Sequence, residues 1–447
     1  MVRSGRANYL PRLRMSGEAS PFDGCKVLDG IRRLDQDSSH WHDGLQDSLV
    51  TQTVSAHAQR LQPLHYHRDV VALLQQTEDA VWSWSASQAA KDEHYDAMRK
   101  AMLRETYRLD AGAHPHAHEA CEIAKAALGL EAPATLYQAS DGGMNAALCY
   151  IPNEIHVVLH GPVLERLTPA ELLALMGHEL GHYRLWSAGD GEFQVAARIL
   201  DHTVVYGSAA PSHIETARLF ALHTEIYADR CAAIAADGAG PAVAILVKTM
   251  TGLAQVDADS YLRQAAEIEE PGAASRGQSH PEVYLRAQAV DRWWRADADI
   301  DDWIDRRIRG PLSLATLDLT RQCRLEAMTR GFFAWLLGDP DLRSEAVITQ
   351  VRSFFPDWSP DDTPLTADAL AAERPDDSLK GYLIALAGDL AMADADLRDE
   401  ILVAAAGVAR HFDGLDLFRQ ALQRDLRLPR TAIERVLART KAAPAHG

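Results

Sequence analysis

The sequence predicts a mainly α-helical chain with one small β-sheet, followed by an all-α domain. Three observations predict it. Apolar residues recur at three- and four-residue steps through most of the chain, two-residue alternation is confined to the stretch 134–160, and helical periodicity resumes beyond about residue 300. At 447 residues the chain exceeds one ordinary core. The expected division is a polar N-terminal extension over 1–60, a first domain over 61–299 and a helical domain over 300–447.

Composition narrows the function. With 45 basic and 63 acidic side chains the formal net charge is −18, which disfavours a nucleic-acid partner because such a partner needs a cationic face. The five cysteines, Cys25, Cys121, Cys149, Cys231 and Cys323, are scattered and contain no CxxC pair. That suits a reducing compartment, with the thiols as core filler. The basic start MVRSGRANYLPRLRMSG lacks the apolar run of a secretory signal, and no later stretch offers about 18 uninterrupted apolar residues. The expectation is a cytoplasmic protein without a membrane span.

Residues 1–60 are rich in Ser, Asp, Gln and His and carry no sustained period. From Tyr66 to Leu109 the recurrence of Val70, Val71, Leu73, Leu74, Val81, Trp82, Met98 and Met102 predicts one or two helices. A helix over His118–Leu128 should stop at Gly129. Strands are expected over Ala134–Gln138 and Asn145–Ile151, separated by Asp141-Gly142-Gly143, and over Glu154–His160, stopped by Gly161-Pro162. Beyond residue 300, helices are expected over Leu312–Leu337 and Leu379–Leu422, divided by the Pro- and Asp-rich FFPDWSPDDTPLTADALAAERPDDS.

The chemistry concentrates in TPAELLALMGHELGHYRLW. Thr168 as N-cap, Pro169 at the first helical position and Glu171 closing a capping box place His178 and His182 inside a helix. At i and i+4 both imidazoles project from one face and can reach one tetrahedral zinc ion. Glu179 is offset by about 100 degrees and can address a water held by the metal, taking its proton as it attacks a carbonyl.

Catalytic zinc normally keeps a third protein ligand. The candidate is Glu225, in the helical segment HIETARLFALHTEIYADRCAAIAADG, where Glu225 and Asp229 again share a face. Two carboxylates on an apolar helix call for a cation or donors opposite them. Asp229 is placed to accept the free N–H of a ligating histidine.

GHELGH, then EIYAD, then SHPEVYLR resembles the HtpX-like and CAAX-prenyl-protease family of zinc metallopeptidases, whose pattern runs HExxH, ExxAD and a His-Pro followed by Arg. The resemblance covers about residues 65–295. It implies a gluzincin-type peptidase domain in which His178, His182 and Glu225 bind zinc, Glu179 is catalytic and Asp229 supports the ligands. The family's edge strand corresponds to MNAALCYI, and an exposed edge can bind an extended polypeptide as an added strand. Unlike many members, this chain shows no membrane helices.

Several residues keep more than one reading. His280 stabilises an oxyanion, acts as a removable fourth ligand that keeps the enzyme latent, or caps a helix beginning at Pro281. Arg286 supports the site or forms a structural ion pair. The clusters His40/His42, His65/His67 and His114/His116/His118 lack partner spacing for a second metal. The acidic span holding Asp389, Asp394, Asp396, Asp399 and Glu400 resembles the cation-holding loop of TerB-like helical domains, with a solvated loop as the plainer reading.

The resulting expectation is a zinc endopeptidase acting on polypeptides, with residues 300–447 restricting access or recruiting a protein partner. Two rivals stand beside it: a non-proteolytic zinc-binding adaptor working through the helical C-terminal domain, and a zinc hydrolase of a non-peptide bond.

Overall fold

A computed structural model describes residues 56–442 apart from 88, 140–141, 206–209, 269–273 and 278. Most of the predicted N-terminal extension, with Cys25, His40 and His42, and Asp141 of the expected turn lie outside the described residues. The chain enters with helices α1 (Ala56–Arg60), α2 (His65–Thr77), α3 (Asp79–Ala86) and α4 (Ala89–Glu105). Three helices thus occupy the stretch expected to hold one or two. Glu78 breaks the first from the second with non-helical φ −127° and ψ 37°.

Strand β1 (Tyr107–Arg108) and helix α5 (Pro115–Leu128) follow. The helix opens three residues earlier than expected, at Pro115, whose missing N–H costs nothing at a first turn. It closes on Gly129 at φ 68°, a left-handed position that favours glycine. Strands β2 (Ala134–Ala139), β3 (Asn145–Ile151) and β4 (Glu154–His160) complete a four-stranded sheet ordered β1-β2-β4-β3. Only β2 and β4 run parallel; β3 pairs antiparallel with β4 from Asn145↔His160 to Ile151↔Glu154. That places β3 at an edge of the sheet.

As an inner strand, β4 is covered on both faces, so His156 is buried along with the apolar positions. Ile155, Val157 and Leu159 join the main core, while Val158 joins Tyr137, Ile151, Tyr95 and Met102 in a smaller core on the other face. The His156 ring is satisfied by Tyr137 Oη at 3.3 Å and Glu154 Oε2 at 3.0 Å.

Helices α6 (Val163–Arg166), α7 (Pro169–Ser187), α8 (Glu192–Val205), α9 (Pro211–Ala235), α10 (Ala239–Thr251), α11 (Ala258–Ala266), α12 (Val283–Trp294) and α13 (Ile300–Ile308) build the rest of the main core. A second core gathers α14 (Leu319–Leu336), α15 (Glu345–Phe354), α16 (Ala367–Ala372), α17 (Asp377–Ala393), α18 (Arg398–Arg410), α19 (Leu415–Arg424) and α20 (Arg430–Ala442).

Two C-terminal expectations need correction. The helix expected from Leu312 begins at Leu319, because Asp318 turns its carboxylate onto the Arg321 N–H and caps the helix there. The stretch Leu379–Leu422 is three helices, interrupted at Asp394–Leu397 and near Asp413, whose φ of 52° is left-handed. The Pro- and Asp-rich divider also contains α16, capped by Thr366.

The junction between the two cores is pinned. Arg321 donates to the carbonyls of Arg309, Gly310 and Pro311, and buried Asp318 pairs with Arg309 at 3.2 Å. Leu319 N donates to Thr216 Oγ1 of α9 at 2.9 Å. Among the described residues no helix is long and apolar enough to cross a membrane.

Candidate metal centre and active site

The predicted capping box is present: Thr168 Oγ1 accepts from Glu171 N, and Glu171 Oε2 accepts from Thr168 N at 2.8 Å. Glu171 Oε2 also accepts from Lys248 Nζ of α10 at 2.7 Å, both side chains being buried. A buried pair of this kind ties the start of α7 to α10.

Two glycines that the sequence reading passed over decide how α7 meets α9. A Cβ on Gly177 would lie 2.4 Å from Ala235 Cβ and 2.8 Å from Cys231 O; one on Gly181 would lie 2.8 Å from Cys231 Cβ and 2.9 Å from Ala228 Cα. The helices therefore touch nearly backbone to backbone. Each glycine directly precedes a histidine, so the closest approach of the helices is also what carries His178 and His182 to Glu225. The signal was legible as Gly-x-x-x-Gly in α7 facing Ala228, Cys231, Ala232 and Ala235 in α9.

His178, His182 and Glu225 each offer one ligand atom, all within 4.8 Å of one another. The Nε2 atoms of the two histidines are 3.3 Å apart, and Glu225 stands 3.5 Å from His178 Nε2 and 3.7 Å from His182 Nε2. Behind them, Asp229 Oδ1 lies 3.1 Å from His178 Nδ1. Arg286 of α12 donates Nε to Asp229 Oδ2 at 2.8 Å and Nη2 to Oδ1 at 2.7 Å, and its Nη1 stands 3.1 Å from Glu225 Oε2.

Burial and these charges set the ionisation. Burial would push the Glu225 carboxyl up, but Arg286 and the two histidines outweigh it and hold it well below the usual range. Asp229 is likewise lowered, its burial overcome by Arg286 and His178. Burial pulls His182 down to about 4, which leaves its ring neutral and a lone pair free for a cation. His178 is raised to about 10 despite burial, because Asp229 and Glu225 both face it. Burial pushes Glu179 up to about 7.

Glu179 and the donor triad line one cleft with Asn145, Ala146, Ala147 and Leu148 of the edge strand. His280 lies at its opening, its Nε2 3.6 Å from Glu225 Oε1 and its Nδ1 2.8 Å from Ser279 Oγ. α12 begins at Val283, not Pro281, with Glu282 at its N-cap, so the helix-capping reading of His280 does not hold. Glu282 accepts from Ser275 Oγ and Arg276 N, and Arg218 of α9 donates to the Ser275 and Gly277 carbonyls. The loop bearing His280 is thereby held from both sides.

Cys121 and Cys231 are buried, as core filler should be, but Cys323 is exposed. In the C-terminal acidic span, Asp394 Oδ1 accepts from Asp396 N in the turn between α17 and α18.

A buried His-His-Glu donor set beside a glutamate, in a cleft bordered by an open sheet edge, defines a metallopeptidase domain. Residues 116–294 match peptidase family M48, and the chain carries a domain of that family. The chain is similar to the plastoglobule-localized metallopeptidase 48, chloroplastic, of Arabidopsis thaliana, with 31% identity over 198 residues. That match covers 40% of this chain and 55% of the relative, so the chain spans about half the length of the curated relative it matches. No solved structure matches.

Proposed function

We propose that the protein is a zinc-dependent endopeptidase in which His178, His182 and Glu225 hold the metal and Glu179 is the general base. The observation that carries the reading is the convergence of the donors: the two Nε2 atoms stand 3.3 Å apart, and the Glu225 carboxylate faces both, with Oε2 3.5 Å from His178 Nε2 and Oε1 3.7 Å from His182 Nε2. A tetrahedral ion with bonds of about 2.0–2.1 Å has ligand-to-ligand edges of about 3.3–3.4 Å. Two nitrogens and one carboxylate oxygen suit zinc and leave one position open for substrate.

When bound, zinc supplies acidification of a water and polarisation of the scissile carbonyl. Glu179 takes the proton on its carboxylate and returns it to the leaving amine; burial, which raises its proton affinity, suits it to both. Asp229 orients the His178 ring through Nδ1, leaving Nε2 for the metal, and Arg286 locks Asp229 and Glu225 in place. The backbone of β3 aligns the polypeptide as an added strand.

His280, held on its tethered loop against Glu225, serves as a removable cover of the open position and keeps the enzyme latent until substrate displaces it. Residues 61–299 act as the peptidase domain. Residues 300–447, with their own core, form a helical domain that recruits a protein partner or limits access.

The test is cleavage of an unfolded polypeptide pool by zinc-loaded protein and by Glu179→Gln at equal zinc content, with new termini read by mass spectrometry. Termini that disappear in Glu179→Gln support the reading. Termini that persist at the same rate overturn Glu179 as base, and none from wild type or from His280→Ala overturns proteolysis.

A further inference from the structure

The cleft, about 590 Å3 in volume, is a chamber walled around the donor triad by four helices. Leu175 stands one turn before His178 on α7; Ala217, Phe220 and Ala221 precede Glu225 on α9; Ile245, Leu246 and Met250 come from α10. The remaining wall is α8, which presents Ala197, Leu200 and Asp201, three positions on one helical face. Val204, Ile214 and Met250, each near an end of its helix, are exposed apolar side chains.

On these walls Trp186 Nε1 is buried without a hydrogen-bond partner, while the threonine hydroxyls and Arg286 are satisfied from within. Thr224 Oγ1 donates to the Phe220 carbonyl and Thr249 Oγ1 to the Ile245 carbonyl, while Arg286 is taken up by Asp229 and Glu225. Asp201 differs. Among the described residues its carboxylate makes no ion pair or side-chain hydrogen bond, and His202 beside it in sequence is the one charged neighbour that acts on it. Its side chain is exposed to solvent, while the apolar surface around it raises its carboxyl above the ordinary value, so the carboxylate stands open to an incoming cation.

We propose that this chamber receives a lysine or arginine side chain of the substrate, flanking the cleaved peptide bond, with the aliphatic stem against Leu200, Phe220 and Leu246 and the cationic head on Asp201. The inference rests on the peptidase reading of the same cleft and names its substrate class. An apolar cleft wall that also carries one unpaired carboxylate matches a side chain that is apolar along its length and charged at its tip. An acidic side chain would meet a like charge, and a short aliphatic one would leave Asp201 without a partner.

The experiment uses zinc-loaded full-length protein and matched peptides with Lys, norleucine or Glu at each position on either side of the cleaved bond. One position should prefer Lys over norleucine by about fivefold in kcat/KM, the size expected of one partly exposed ion pair. Asp201→Asn should bring that ratio to about one, and Asp201→Lys should turn the preference towards Glu. A parallel arm measures binding of the same labelled peptides to Glu179→Gln by fluorescence anisotropy.

Cleavage without a basic preference, or with one that survives Asp201→Asn, overturns the inference and leaves the peptidase reading intact. A Lys preference in binding that needs Asp201, with no cleavage by wild type, upholds the inference and overturns proteolysis. Neither cleavage nor binding overturns both.

Discussion

Arg286 grips Asp229 through two parallel hydrogen bonds, Nε to Oδ2 at 2.8 Å and Nη2 to Oδ1 at 2.7 Å, and reaches Glu225 with its third nitrogen. The planar fork takes both Asp229 oxygens with two nitrogens and reaches Glu225 with the third, a spread that the compact ammonium of lysine does not reproduce. Arg286→Lys should keep the fold but weaken zinc affinity by about 10- to 100-fold, the usual cost of disturbing the groups behind metal ligands. Competition with a chelating dye checks it. Arg286→Met, which leaves two buried carboxylates with only the histidines opposite them, should cost about 3–5 kcal/mol of stability in the metal-free protein.

The contact of α7 with α9 makes a second prediction. Gly181→Ala would drive a methyl into Cys231 and the Ala228 backbone. Forced helix separation should cost about 1–3 kcal/mol and pull His182 away from Glu225. Urea unfolding should show the stability loss, and zinc titration should show weaker binding in the same variant. Gly240→Ala, at a helical position with open space around it, is the control and should weaken neither.

Metal removal should be visible in stability. A ligand that binds the native state alone stabilises by about 2.7 kcal/mol at 100 times its dissociation constant. Thermal unfolding should therefore move down in chelator and recover with added zinc. Glu225→Gln should abolish the recovery; a shift that persists in that variant would place the binding elsewhere.

Acid should destabilise the protein through two further buried histidines. Burial holds His67 well below its ordinary pKa and His223 down to about 4, so both are neutral when folded and charge more readily when unfolded. The unfolded chain then binds more protons below about pH 6.5. Stability is complete above that pH and falls as pH drops towards 4, by about 1.4 kcal/mol per unit for each histidine. His67 Nε2 meets Thr224 Oγ1, whose own proton goes to Phe220 O, so the ring donates there. His67→Asn should flatten the acid slope, measured by urea unfolding across pH 4–7.

Local patterns were readable because they act over one turn or one strand. Thr168, Pro169 and Glu171 specify where α7 begins, and β3 and β4 run over the residues that their alternation marks out. The i, i+4 spacing of His178 and His182 needs nothing beyond helix geometry. Where the signal was weaker, boundaries moved. Asp318 ends a strap that reads as α-helix by hydropathy but holds only a 3-10 turn at Leu314–Thr316, since a cap is decided by one side-chain oxygen finding one backbone N–H.

The sequence by itself determined the helical character of the chain, the small sheet and the motifs in which His178, Glu179, His182, Glu225 and Asp229 stand. Only the tertiary structure decided that Glu225 lies 3.5 and 3.7 Å from the two histidines, that Arg286 joins Glu225 to Asp229, and that Asp201 faces the same cleft. Those relations join residues on separate helices, α7, α8, α9 and α12. Their distances depend on how closely helices pack, which here turns on two missing side chains at Gly177 and Gly181, and no periodicity within one segment encodes that.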